Sequence, residues 1–193
     1  MGKHITPHLD DAASGLARRD FLKVGAGFSL ALTVAAVLPG CSGSGKAPAQ
    51  GFAFLHPADV ELFTALAPVV VLDLKTLDAA ESARRLKLTI ANIDGACAGL
   101  GAHSRGELRK LFDLLAIGPL RYVLTGVGAW NEASAETLVA FLERWRGSSI
   151  ATLNSGGNVL VRLLAGSYYV IPETFASVGY PGPLAAMYRA VNA

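Results

Sequence analysis

The chain has 193 residues, 17 of them Lys or Arg and 15 Asp or Glu, and 52% of the sequence is hydrophobic. Beyond Cys41 the balance is 13 basic to 12 acidic residues, which excludes the concentrated basic face that nucleic-acid binding requires. Only Cys41 and Cys97 are present, and if Cys41 carries lipid, Cys97 has no disulfide partner.

The first 41 residues read as an export leader. Arg18 and Arg19 stand before Asp20, Phe21, Leu22 and Lys23, and no charge follows from Val24 to Gly45. The apolar part, Val24 to Leu38, is diluted by Gly25, Gly27, Ser29 and Thr33. It falls short of the roughly 20 apolar residues of a stable membrane span, which suits a cleaved signal. The Arg18, Arg19, Phe21, Leu22, Lys23 string resembles the twin-arginine export motif, which implies transport of a folded protein. Leu38-Pro39-Gly40-Cys41 resembles a bacterial lipobox and implies lipidation of Cys41; the alternative is ordinary signal-peptidase cleavage nearby. Residues 42–53 have the composition of a flexible tether, and residues 54–193 form one domain of about 140 residues.

Helical signals dominate that domain. Pro57 at a first turn with Asp59 behind it opens a helix, and Val60, Phe63, Ala67 and Val70 recur at helical spacing. Pro68 is expected to kink or end it. A second helix is expected from Asp78 to Leu100, with Leu86, Ile90, Ile93 and Cys97 on its inner stripe. Ser104 and Glu107 have capping-box spacing and mark the start of a third, running to Ala116. Gly118-Pro119 separates it from a short segment, Leu120 to Leu124. Ser134 caps a helix from Ala135 to Arg146. Another is expected from Ser149 to Tyr169, with Gly156-Gly157 either breaking it or admitting a close backbone. Pro172, Pro181 and Pro183 force a looped stretch before a last short helix over 184–191. The sum is an all-α bundle of about five to seven helices.

Chemistry-bearing constellations are sparse. His56 and His103 read as exposed turn histidines, without the spacing of a metal pair. Cys97 lies on an apolar stripe and reads as a small core residue. Gly40 to Lys46 looks like the start of a phosphate loop, but Ala47 stands where a Ser or Thr would hold magnesium, and no strand precedes it. Trp130, in the Gly126–Asn131 loop, and Tyr180, in the C-terminal Phe175–Pro183 loop, are either partner-interface anchors or caps on the domain's own core. Trp145, in register with Phe141, reads as core.

The leader, the helical domain, the opening Phe54-Leu55-His56-Pro57-Ala58-Asp59-Val60-Glu61-Leu62-Phe63 and the closing Gly179-Tyr180-Pro181-Gly182-Pro183 together resemble the gluconate 2-dehydrogenase subunit 3 family. These are small subunits of periplasmic flavin dehydrogenases. The resemblance implies a chain with no catalytic group, cofactor or metal of its own. Its implied partner is a large FAD-dependent subunit of the glucose-methanol-choline type, which lacks a leader and is exported in complex. Electrons would pass to a cytochrome c or to quinone. It further implies a periplasmic, lipid-anchored location and an interface including Trp130, Tyr180, Pro181, Gly182 and Pro183. Glu173 to Val178 stand where that family carries a glycine- and asparagine-rich string, which leaves the subfamily and the substrate open. Two other functions fit the residues: a free-standing lipoprotein that holds a small apolar ligand between its helices, and an enzyme that uses Cys97.

Overall fold

The computed structural model describes residues 47–182. The leader residues, Cys41, Pro183 and the expected helix over 184–191 lie outside them. Six α-helices and four short 3-10 turns, with no strand among the described residues, make up an all-α bundle.

Helix α1 (Pro57–Val70) is the centre of the bundle. Pro57 costs nothing in the first turn, where its missing N–H would have no helical partner. The Asp59 carboxylate accepts the His56 N–H at 2.7 Å and closes the turn. Leu62, Phe63, Leu66 and Ala67 are buried on its inner face. The helix runs two residues past Pro68. The ring removes one hydrogen bond of the ladder, and the buried face on the preceding turn holds the backbone in register. α1 packs against every other long helix.

Helix α2 (Ala79–Ala98) starts where Asp78 accepts the Glu81 N–H at 2.9 Å, a side-chain cap for an otherwise unsatisfied donor. Helix α3 (Ala102–Ala116) opens before Ser104, because Arg105 N–H already bonds the Gly101 carbonyl. The Ser104 capping box is therefore not used, and His103 is an exposed residue of the first helical turn. Helix α4 (Gly118–Thr125) ends on Gly126 with φ +75°, a left-handed cap that glycine adopts without strain. Helix α5 (Ala135–Arg146) begins at Ser134, whose hydroxyl accepts the Thr137 N–H.

Helix α6 (Ala151–Tyr169) passes through Gly156-Gly157 without a break. The pair admits a close neighbour. A Cβ on Gly156 would lie 2.9 Å from Trp145 Cζ3, and one on Gly157 would lie 3.0 Å from Trp145 Cβ. Trp145 is fully buried, its Nε1–H donates to the Leu124 carbonyl at 3.0 Å, and its ring meets Phe141 edge-on at 5.0 Å. Burying such an aromatic contributes roughly 1.5–3 kcal/mol, so the α5–α6 seam is a main source of cohesion. On its other side α6 lies along α2.

Candidate functional site

The densest polar constellation among the described residues sits where the chain enters the domain. The segment before α1 is not a loose tether. Phe52 and Phe54 pack against the core, Leu55 is fully buried, and Ala49 N–H bonds the Leu55 carbonyl at 2.8 Å. Contacts with the domain thus reach back to Ala49, ahead of Phe54. Apolar side chains at 52, 54 and 55 have a core to enter, and the backbone donors between them have an acceptor waiting.

That acceptor is Asp94 on α2. Its Oδ2 accepts Ala53 N–H, and its Oδ1 accepts both Phe54 N–H and Leu55 N–H, each at 2.8 Å. Asp94 is only 7% exposed. A second buried carboxylate, Asp59 at 1% exposure, takes a two-pronged bond from Arg109 on α3, at 2.7 and 2.8 Å. The same guanidinium donates to Asp113 at 2.9 Å and to the Phe54 carbonyl at 3.4 Å. It lies over the rings of Phe54 and Phe112, 5.5 and 5.4 Å from their centroids. Planar, forked and weakly hydrated, guanidinium suits this mixture of carboxylate and aromatic faces, whereas ammonium would not.

His56 belongs to this knot and is not an exposed turn residue. It precedes α1, its side chain is largely buried, and Nδ1 stands 4.0 Å from Asp113 Oδ1. Burial raises the Asp113 carboxyl above its ordinary range, while Arg109 and His56 pull the other way. Asp59, Asp94 and Arg109 are each committed to several partners, so the arrangement fastens three segments together.

Cys97 is fully buried one turn beyond Asp94. Burial first, then the Asp94 and Asp59 carboxylates, push its thiol up to about 12, against a smaller downward pull from Arg109. A thiolate is the reactive form, so Cys97 does not offer a nucleophile near neutral pH.

The two interface aromatics separate. Trp130 is 2% exposed, packs with its ring tilted against Phe141 at 5.9 Å and lies under the Arg121 guanidinium. This corrects its reading as a partner-interface anchor: its ring fills the core beside α1. Arg121 fastens that loop by donating to the Gly128 carbonyl. Tyr180 is 47% exposed, with its ring edge-on to Phe175 at 5.0 Å. Gly179 and Gly182 have φ of +67° and +90°, so the Tyr180-Pro181 pair is displayed between two left-handed glycines. Ser177 Oγ donates to Asp73 at 2.7 Å and ties this segment to the 3-10 turn Leu72–Lys75. Exposed Leu72, Val170 and Val178 lie on these tied segments and their neighbours.

Among the described residues no helix is long and apolar enough to cross a membrane, and no group of three or more His, Cys, Asp or Glu is placed to hold a metal ion. Comparison with protein-family models, curated proteins and solved structures finds no match for the chain.

Asp94 and Arg109 escaped the sequence reading. Their signal was there: Asp94 shares the stripe of Ile90, Ile93 and Cys97, and Arg109 lies beside the Leu108 and Phe112 face. A charge on a buried stripe demands a partner.

Proposed function

We propose that the chain is the non-catalytic small subunit and export escort of a periplasmic FAD-dependent dehydrogenase of the glucose-methanol-choline type. The partner would oxidise an alcohol or sugar and pass electrons to a cytochrome c or quinone. The observation that carries this reading is the pairing of the Arg18-Arg19-Asp20-Phe21-Leu22-Lys23 leader with a Gly-Tyr-Pro-Gly turn that holds Tyr180 half-exposed. The first addresses a folded cargo. The second presents an aromatic on an irregular segment, the type of residue that anchors interfaces. Cys41 supplies a lipid attachment point at the membrane surface, where one acyl chain alone gives only marginal binding and several are needed.

The test is export itself. Replacing Arg18 and Arg19 with Lys is expected to leave both this protein and a co-expressed flavoprotein partner in the cytoplasm, read by fractionation and flavin fluorescence. Normal periplasmic flavoprotein after that change would show that the partner exports itself, and the escort reading would fail.

A further inference from the structure

Asp94 is a buried carboxylate that bonds only backbone amides of the incoming chain, with no cation in salt-bridge range among the described residues. All three donors come from residues 53–55, and the Phe54 carbonyl is held in turn by Arg109 of α3. The incoming segment therefore has a docking site only when α2 and α3 are already packed on α1.

We propose that residues 49–55 are a strap, latched by Asp94, that fixes the point at which the leader-bearing chain leaves the domain and does so only in the folded state. The latch rests on described residues alone; that a leader is what it displays rests on the function proposed above. Its effect on reach is large. In sequence, Cys41 lies eight residues before Ala49, a contour of at most about 28 Å, and fifteen before His56, the N-cap of α1, a contour of at most about 53 Å. Latching thus roughly halves the greatest contour between Cys41 and the first residue bonded to the domain. It also gives a folded chain a fixed leader exit that an unfolded chain lacks.

The cradle is electrostatically one-sided, which makes it separable from the rest of the fold. Removing the carboxylate takes away the strap's charge-assisted bonds, while the Asp59–Arg109 pair and the α5–α6 seam keep their partners. Asp94→Ala removes all three acceptor contacts, and Asp94→Asn leaves a single carbonyl oxygen.

Hydrogen exchange on the full-length protein tests this, comparing the amides of residues 53–55 with those of α1, α2 and α6. In the unaltered protein the strap amides are expected to be protected. In Asp94→Ala they are expected to exchange roughly ten- to a hundredfold faster, the effect of losing bonds to a charged group. Asp94→Asn should fall between, with helix protection unchanged in both. Should Asp94→Ala fail to fold, Asp94→Asn decides by the same selective rise. Unchanged strap exchange in a folded variant overturns the latch, because Leu55 burial alone would then hold the segment. A parallel loss of protection in α1 and α6 in both variants also overturns it, because the strap would not open separately from the core.

Discussion

Arg109 is the residue on which the entry knot depends. Asp59 is nearly inaccessible to water, and Arg109 is its only cationic partner among the described residues. Removing one member of a buried pair leaves the other charge uncompensated, which costs far more than losing an exposed salt bridge. Arg109→Met is therefore expected to lower stability by about 3–5 kcal/mol, read as a reduced urea midpoint at unchanged slope. A loss under about 1 kcal/mol would mean that Asp59 is effectively solvated and the knot incidental. At this scale the sequence was a poor guide. His56 was read as exposed because proline and turn signals say nothing of what packs above them. Trp130 left two readings open because a loop aromatic faces in or out according to its packing against α1, which is distant in sequence. Cys97 was legible, because its place on the Ile90–Ile93 stripe implied the burial that now suppresses its thiolate.

The elements themselves were largely legible. The Asp78 and Ser134 caps and the Gly126 stop mark helix ends by local chemistry, which sequence carries directly. Ser104 misled because its motif is equally compatible with a helix already under way. Gly156-Gly157 was ambiguous for a different reason: glycine weakens a helix and also admits a neighbour, and only the position of Trp145 decides between the two. The magnitudes set the expected outcome. Alanine gains about 1 kcal/mol of helix propensity over glycine, whereas overpacking a filled core costs about 1–3 kcal/mol. Trp145 is clamped by Leu124 and Phe141, so the clash should prevail and Gly156→Ala should destabilise. Gly166 lies on the same helix with open space around it, and Gly166→Ala should instead stabilise by about 0.5–1 kcal/mol. Thermal unfolding of the two variants reads both signs; a stabilising Gly156→Ala would show that the α5–α6 seam yields.

For the whole molecule, the all-α class follows from apolar spacing repeated along the chain. The domain boundary does not, because residues 49–53 look like tether until Asp94 accepts Ala53 N–H and the Leu55 carbonyl accepts Ala49 N–H. The bundle keeps its polar knot at the chain entry. Along α2, Asp94 at the knot lies about 15 Å by helical rise from Arg84, which bonds Glu173 at 3.0 Å next to the C-terminal turns. The entry strap and the Pro172–Thr174 turn that precedes the Tyr180 segment thus attach towards opposite ends of one helix. The direct measurement is isolation of the tagged full-length protein from membranes and periplasm under mild conditions, with identification of whatever accompanies it and a flavin absorbance spectrum. The account predicts a near-stoichiometric FAD-containing dehydrogenase without a leader of its own. Recovery of the protein alone, with no flavoprotein bound, would contradict it.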